Sequence, residues 1–400
     1  MRQHDMKTLP LHGIKVLDLT QVGFGPWATQ ILGDFGADVL ELEVHKRGYI
    51  SRTFDPFLTE PNGQSAYFMA SNRNKRSVTI DLERDEGKAL ARRIAREVDV
   101  LVHNFRPGVA ERLGLGYDEL KGENPRLVYA WGSGFGSGGP LMDKPGQDYL
   151  AQSLSGVAAR HKDENGTPRL LSVTVADFPG ALLIAQGVFL ALYSRERTGQ
   201  GQCVYTSLLD TLLSMQQMEA VQLMLRGKDT DFVKNYLVGV VKTLDGAVTV
   251  VGVFRPNPLA DICRALEIED LSQRAEFSTL ALQRQNKAAL WPLIEAAMGR
   301  FTTAQALQRL EANDVLCSTV CELQDALEQP QAQYNKTIVS FEDPVHGAVR
   351  VIRSPLTLSG APPCAPRRAP RLGEHTDEVL AEFGLNAADV AALRAGGIVG

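Results

Sequence analysis

The chain has 400 residues, of which 44% are hydrophobic and 22% are charged, with a formal net charge of −5. This composition is that of an ordinary globular protein, and the length favours two or three domains over a single core. The acidic balance excludes a global basic field, so we expect no nucleic-acid partner, and any anionic ligand needs local clusters of Lys and Arg. The five cysteines are scattered, which predicts a reducing compartment and no metal site.

Two observations predict a cytoplasmic protein that does not associate with membranes. Residues 1–13 contain no apolar run of the kind that a secretory signal requires. The longest apolar run, 181–193, is interrupted by Gln186 and is too short to span a bilayer.

The first half of the chain alternates between strand-like and helix-like segments. A helix is predicted from Pro26 to Phe35, and Leu90, Ile94 and Val98 form one apolar stripe on another helix. This alternation predicts an α/β fold with a Rossmann-like parallel sheet and helices on both faces. The strands of the predicted sheet are 16–19, 38–43, 77–82, 99–103 and 126–131.

The second half changes character after Lys228. A helix from about Asp177 to Arg197 is apolar nearly all round, which predicts that it is buried, and a second apolar helix covers 207–226. Residues 238–253 are strand-rich, and polar-faced helices follow, which indicates a smaller α+β domain. We therefore predict a large domain over 1–226, a small domain over 227–327 and a C-terminal segment over 328–400 that returns to the large domain.

Two glycine-rich patterns resemble nucleotide-binding loops. Gly23-Phe-Gly25-Pro-Trp-Ala28 follows a strand and precedes a helix, as a dinucleotide fingerprint does, but Pro26 removes an N–H donor that a phosphate would use. Gly134-Phe-Gly136-Ser-Gly-Gly139 is followed by Pro140 and a polar loop instead of a helix. The second pattern favours a loop, either over a site or simply at the surface.

Asp177 stands where the long apolar helix begins. Asp is a preferred N-cap residue, which would give this side chain a purely structural role. The same position favours an ionised carboxylate through the helix dipole, and an ionised, positioned carboxylate is what nucleophilic catalysis needs.

Basic and amide side chains follow several predicted strands. Asn104-Phe105-Arg106 offers an amide, an aromatic face and a cation directly after a strand, an arrangement that suits a nucleotide. Because ligands of open α/β sheets gather at the carboxyl ends of the strands, these groups are candidate ligands. The other basic candidates are His45-Lys46-Arg47, Arg73, Lys75, Arg76, Arg112 and Lys144.

Taken together, these segments resemble the class III CoA-transferase family, which includes formyl-CoA and carnitine CoA-transferases and the related α-methylacyl-CoA racemases. The resemblance covers nearly the whole chain and is weakest from 229 to 325. It implies a Rossmann-like large domain, a smaller domain, and an interlocked homodimer. The stretches that carry it are 16–26, 36–43, 74–82, 99–108, 134–140, 144–156 and 368–376.

The resemblance also implies a role for individual residues. Asp177 falls on the position of the family's nucleophile, and Gly23, Phe24 and Gln147 fall near the substrate. No permanently bound cofactor or metal is implied, because coenzyme A is a substrate and carrier. The residues implied to contact CoA are Val22, Lys46, Arg47, Ile80, Leu82, Asn104, Phe105, Arg106, Arg112 and Lys144.

The implied reaction moves CoA from an acyl-CoA donor to a free carboxylic acid through an aspartyl-CoA thioester on Asp177. The first alternative is a racemase, whose acid–base histidine is replaced here by Gln147, a side chain that cannot exchange a proton near neutral pH. The second alternative is an NAD-dependent oxidoreductase, on the strength of Gly23 to Ala28. Arg255 and the Arg47–Arg52 region are candidates to bind a second carboxylate, which points to dicarboxylates such as succinate.

Overall fold

The computed structural model describes residues 9–58, 64–361 and 363–400. The chain divides into two compact units, one of Met1–Met215 with Tyr334–Gly400 and one of Gln216–Gln333. The chain returns to the first unit after the second one, and the bounds of these units differ from the predicted 1–226, 227–327 and 328–400. The small unit begins earlier and ends later than the predicted 227–327, because the helix Gln217–Arg226 belongs to it.

A six-stranded parallel sheet forms the centre of the first unit, in the order β3-β2-β1-β4-β5-β6. The α/β prediction is confirmed, and the five predicted strands are present with shifted ends, although β6 was not predicted. The strands are β1 Lys15–Leu19, β2 Asp38–Val44, β3 Lys75–Ile80, β4 Val100–His103, β5 Val128–Ser133 and β6 Cys203–Ser207. The remaining strands are β7 Leu237–Lys242, β8 Ala247–Gly252, β9 Leu316–Thr319, β10 Ile338–Asp343 and β11 Gly347–Ile352.

Helices surround this sheet and make up most of the second unit. Those of the first unit before its interruption are α1 Phe24–Asp34, α2 Ala66–Ser71, α3 Asp85–Glu97, α4 Val109–Arg112, α5 Tyr117–Glu123, α6 Asp148–Leu154, α7 Val157–Arg160, α8 Asp177–Thr198 and α9 Leu208–Met215. Those that follow are α10 Gln217–Arg226, α11 Phe232–Asn235, α12 Pro258–Ala265, α13 Leu280–Gln285, α14 Lys287–Met298, α15 Thr303–Ala312, α16 Leu323–Glu328, α17 Pro330–Tyr334, α18 Thr376–Glu382 and α19 Ala387–Ala395. Short 3₁₀ turns lie at Ile50–Arg52, Leu271–Gln273 and Ala275–Phe277.

The apolar strands are buried on both faces, as parallel sheets covered by helices require. In β1, Val16 and Leu17 point to opposite sides and belong to two separate hydrophobic clusters. On one face, α3 buries Leu90 and Ile94 as the periodicity predicted, and α18 and α19 complete the layer. On the other face, α1 and α8 pack together.

The long helix α8 differs from its prediction. Its Ile184 and Val188 are buried, but Leu190 is 61% and Tyr193 66% exposed, so in the single chain the predicted burial holds for one side of the helix only. This helix is long and apolar enough to cross a membrane, but core helices of soluble proteins can be equally long and apolar. Since one side of α8 belongs to the core, we interpret it as a core helix with an uncovered apolar face.

The second unit has its own core. Strands β7, β8 and β9 form an antiparallel sheet, and α12, α14 and α15 contribute buried apolar side chains to the cluster on it. This is the predicted α+β arrangement. In the returning segment, β10 and β11 form an antiparallel hairpin that the sequence did not predict.

Candidate active site

A cavity of about 650 Å³ opens at the carboxyl ends of β1, β4 and β5. This is the edge where open α/β sheets bind ligands. The cavity brings together most of the residues singled out in the sequence, although they lie far apart in the chain. The predicted site residues that line it are Val22, Gly23, Phe24, Asn104, Phe105, Arg106, Arg112, Lys144, Gln147 and Asp177.

Asp177 is the first residue of α8, and its side chain does not cap that helix. The cap comes from Asp148, which is fully buried and whose Oδ2 accepts hydrogen bonds from the backbone N–H groups of Ala176 (2.6 Å) and Asp177 (2.9 Å). Gln152 Nε2 donates to the other oxygen of Asp148 at 2.7 Å. The N-cap interpretation of Asp177 is therefore wrong, and its carboxylate is left available to the cavity.

The electrostatics of Asp177 also differ from the prediction. Burial, and then the negative charge of Asp148, raise the pKa of Asp177 to about 7. Desolvation penalises the charged form, and a nearby carboxylate does the same. The helix terminus was expected to favour the ionised carboxylate, but burial and Asp148 shift the pKa of Asp177 in the opposite direction. A carboxyl group with such a perturbed pKa in a cavity is a candidate for chemistry.

Glycines provide the space around Asp177. A Cβ atom on Gly23 would lie 3.0 Å from Asp177 Oδ2, closer than ordinary contact. The ring of Phe24 is wedged between Gly132 and Gly180, where added Cβ atoms would lie 2.3 and 2.6 Å from it. Phe24 is consequently buried, and it forms the floor of the cavity.

The two glycine-rich patterns have structural explanations. A Cβ on Gly25 would lie 2.3 Å from Thr20 Cβ, so this glycine permits close approach of α1 to the end of β1. Gly134 and Gly146 meet backbone to backbone, since a Cβ on Gly134 would lie 2.3 Å from the Gly146 Cα. The segment 134–140 is a loop, as the sequence predicted, and its start borders the cavity.

Three cations line the cavity without carboxylate partners. Arg106, Arg112 and Lys144 are exposed, and none of them forms an ion pair within the part of the chain that the structure describes. Lys144 Nζ lies 5.8 Å from the centroid of the Phe135 ring. Uncompensated cations beside an aromatic face suit a ligand that carries phosphates and a base.

Gln147 and His103 have specific roles in holding these segments. Gln147 Oε1 accepts a hydrogen bond from Tyr149 N at 2.9 Å and so caps α6. His103, which the sequence did not single out, stacks between Phe105 and Trp131 at centroid distances of 5.3 and 5.5 Å. Its Nδ1 accepts a hydrogen bond from Phe105 N, which leaves the hydrogen on Nε2, 2.8 Å from Tyr129 Oη. Burial lowers the pKa of His103 to about 3, so this imidazole is neutral.

Four residues predicted to contact CoA lie outside the cavity. Lys46 and Arg47 are exposed beyond the end of β2. The side chain of Ile80 is buried in the core and Leu82 packs against the same cluster, so only their backbones are candidates for contact. Their role stays a prediction.

The predicted dicarboxylate clamp does not assemble in the Arg47–Arg52 region. Arg52 is buried, and its guanidinium makes two hydrogen bonds to the carboxylate of Glu43. This part of the prediction is wrong. Arg255 lies in the second unit, where it forms ion pairs with Asp261 and Asp314.

The fold and the site define an α/β protein in which a carboxyl group with a raised pKa and three exposed cations line one cavity. Residues 11–376 match CoA-transferase family III. A succinate–glutarate CoA-transferase from Agrobacterium fabrum is 31% identical over 383 residues, 94% of this chain and 96% of the relative. A succinyl-CoA–D-citramalate CoA-transferase from Chloroflexus aurantiacus is 29% identical and covers 96% and 97% of the two chains.

A crystal structure of a CAIB/BAIF family protein from Brucella suis superposes with a TM-score of 0.83 at 29% identity, covering 94% of this chain and 99% of that one. The chain belongs to CoA-transferase family III, and it is a class III CoA-transferase. The family match and the relatives named as CoA-transferases confirm the predicted enzyme class.

Proposed function

We propose that Asp177 is the nucleophile of this CoA-transferase and that an aspartyl-CoA thioester forms on it. The observation that carries the proposal is the position of its carboxyl group, which lies in the cavity and does not cap α8. A pKa of about 7 leaves a useful fraction ionised at neutral pH and makes the carboxylate more basic, and hence more nucleophilic, than an ordinary aspartate.

The proposed reaction has two symmetrical halves. An oxygen of Asp177 attacks the thioester carbonyl of the donor, the carbon–sulfur bond breaks, and a mixed anhydride and CoA thiolate result. The thiolate attacks the aspartyl carbonyl and releases the donor acid, which leaves the aspartyl-CoA thioester. The acceptor carboxylate then attacks that thioester and expels the thiolate, and the thiolate attacks the acceptor acyl carbon to give the new acyl-CoA and free Asp177.

Like-charge repulsion supports this assignment energetically. When ionised, Asp177 lies close to the buried carboxylate of Asp148, which holds the backbone of Asp177 by a hydrogen bond. Acylation converts Asp177 into a neutral group and removes that repulsion. The N–H groups of the loop 134–139 are candidates to stabilise the developing oxyanion.

The free cations Arg106, Arg112 and Lys144 are proposed to bind the phosphates of CoA, and Phe105 to contact its adenine. For the acyl group we propose a dicarboxylate such as succinate. Two relatives, at 31% and 29% identity, are named for succinate–glutarate and succinyl-CoA–D-citramalate transfer.

We further propose that the active enzyme is a cytoplasmic homodimer. The first unit contains an apolar groove of about 1220 Å³ that includes Trp27, Ile31, Phe178 and Leu182. A second copy of the chain would cover this groove and the exposed face of α8. Analytical ultracentrifugation at nanomolar concentration is expected to show dimer, and a folded monomer there would contradict the proposal.

The transfer reaction is tested with a panel of acyl-CoA donors and free acids, with product CoA thioesters measured by mass spectrometry. Asp177→Asn is expected to lower transfer by on the order of 10³-fold or more while CoA binding, measured by calorimetry, is retained. Asp118→Asn, an exposed aspartate, is the matched control and should keep wild-type rates. Deuterium incorporation at the α-carbon of a 2-methylacyl-CoA, without an acceptor acid, would instead assign a racemase.

A further inference from the structure

Asn104 lines the cavity, but both ends of its side-chain amide are engaged by one residue of the protein. Its Oδ1 accepts a hydrogen bond from Gln21 N at 2.8 Å, and its Nδ2 donates to Gln21 O at 2.7 Å. The amide therefore forms a two-bond bridge from the end of β4 to the chain that leaves β1. A side chain used in this way holds backbone in place before any ligand arrives.

The residue after this bridge has an unusual backbone conformation. Val22 has a φ of 67°, in the left-handed region, which is a genuine outlier for a β-branched residue. Its side chain is 59% exposed, so packing does little to hold it there. Strained backbone persists only where the surroundings fix it, and it concentrates at functional sites. The Asn104 bridge on Gln21 is the fixing contact directly before Val22.

The turn leads to Gly23, whose Cβ position would be 3.0 Å from Asp177 Oδ2. A small rearrangement at Val22 would therefore move backbone into the space beside the carboxylate. We infer that Asn104 is a positioning residue, which holds the Gln21–Gly23 turn in its left-handed conformation and so keeps the space next to Asp177 open for the donor carbonyl. This inference rests on the proposed role of Asp177.

The first test is Asn104→Ala. A misplaced turn is expected to lower kcat about 100-fold, because small errors in the geometry of the reacting groups have large effects on rate. The dissociation constant for CoA should change less than about threefold, because the side-chain amide is bonded to Gln21 and is not needed to bind CoA. Asn104→Asp keeps the acceptor for Gln21 N but places a carboxylate oxygen against the carbonyl oxygen of Gln21, so its kcat should fall at least as far as that of Asn104→Ala. It also serves if Asn104→Ala does not fold.

The decisive test is a double-mutant cycle with Val22→Gly. Glycine adopts a positive φ without strain, so the turn needs the bridge less. The fold-loss of kcat caused by Asn104→Ala should therefore be at least about fivefold smaller in the Val22→Gly background than in the wild type. A merely structural asparagine would not give this coupling in kcat.

Three results would overturn the inference. The first is an equal fold-loss of kcat from Asn104→Ala in the wild-type and Val22→Gly backgrounds. The second is a rise of the CoA dissociation constant that accounts for the whole loss of activity. The third is a wild-type kcat in both Asn104→Ala and Asn104→Asp. Trapping of the acyl-enzyme in the wild type separates this failure from that of the proposed function. An adduct at Asp177 with no effect of Asn104→Ala refutes the positioning role alone, whereas no adduct in the wild type refutes the nucleophile itself.

Discussion

Acidic side chains on the two halves of the parallel sheet have opposite surroundings: on one half they are paired with cations, and on the other they lie beside another acid. On the half formed by β3, β2 and β1, Asp18 of β1 is paired with Lys75 of β3 at 2.8 Å, both side chains being fully buried, and Asp34 at the end of α1 is paired with Arg73. At the cavity, the buried Asp148 and the half-buried Asp177 lie close together, and neither forms an ion pair among the described residues. The paired acids belong to the packed interior of the fold, whereas the acid that faces a like charge and also lines the cavity is a candidate for chemistry.

The cations show the same contrast. Three cations, Lys75, Arg73 and Arg52, are buried and form ion pairs with carboxylates of the fold. Arg106 and Arg112 line the cavity without an acidic partner among the described residues. Type of residue therefore does not distinguish a structural cation from a ligand-binding one. The tertiary partner does.

Glu41 is an instructive intermediate case. It is fully buried within the paired region, and its Oε2 has no hydrogen-bond partner in the part of the chain that the structure describes. Burial, followed by the charge of Glu43, raises its pKa well above the ordinary value. It does not line the cavity around Asp177. A raised pKa alone is therefore not enough to indicate reactivity, because a nucleophile also needs access.

The largest effect on stability is expected from breaking a paired acid. Lys75→Met leaves Asp18 buried without its cation and should lower the free energy of unfolding by about 3–5 kcal/mol. Chemical denaturation measures this loss. Adding Asp18→Asn should restore much of it, and Lys88→Met, at an exposed pair, is the control with little change. If Lys75→Met lowered the free energy of unfolding no more than Lys88→Met does, the proposed difference between buried and exposed pairs would be contradicted.

At the cavity, we expect the substitution of an acid to raise the free energy of unfolding. The folded-state pKa of Asp177, about 7, lies above its ordinary value of 3.8, so its contribution to stability is present at low pH and is lost as pH rises from about 4 to about 7. Asp177→Asn should therefore stabilise the protein at pH 8 by on the order of 2–4 kcal/mol and have little effect at pH 4. Thermal unfolding of both proteins at the two pH values measures it, and destabilisation at pH 8 would contradict the account.

The free cations provide a prediction on binding. Arg112→Ala should raise KM for the acyl-CoA about tenfold, with a smaller effect at high salt, because an exposed phosphate contact is screened. Steady-state kinetics at two ionic strengths measures both effects. Arg84→Ala, an exposed arginine outside the cavity, should leave KM unchanged, and equal effects from both variants would indicate only a change in net charge.

The smallest expected effect concerns the pH profile. Because the ionised form of Asp177 is the proposed nucleophile, kcat/KM should rise with pH, reach half its maximum near pH 7 and level off about one pH unit higher. Asp148→Asn removes the like charge, the lesser of the two causes, so the midpoint should move down by less than about one pH unit. An upward shift would show that Asp148 does not oppose the charge of Asp177.

The sequence predicted the parallel sheet well because its first five strands are short continuous or alternating apolar segments with helix-like segments between them. It missed β6, whose residues 203–207 are less apolar and follow a long helix, and the hairpin β10–β11, where polar and apolar residues are mixed. It also joined α9 and α10 into one helix, because their apolar periodicity continues across the break.

The site residues were predicted largely from the family resemblance, and their roles required tertiary structure. Asp148 caps α8 from 29 positions earlier in the chain, a contact that no local pattern indicates. For the same reason the sequence could not show that Asn104 is committed to Gln21. In the sequence, His103 has the pattern of an ordinary strand residue. Only the structure shows that it stacks with Trp131 and with Phe105, which lines the cavity.

The most direct test of the central claim is chemical trapping of Asp177. The enzyme is mixed with succinyl-CoA without an acceptor, quenched with hydroxylamine, digested, and analysed by peptide mass spectrometry. A covalent thioester or anhydride is electrophilic, so the account predicts a hydroxamate on Asp177 and none on Asp148 or in Asp177→Asn. Transfer activity in the same preparation with no hydroxamate at Asp177, or a hydroxamate on another residue, would contradict it.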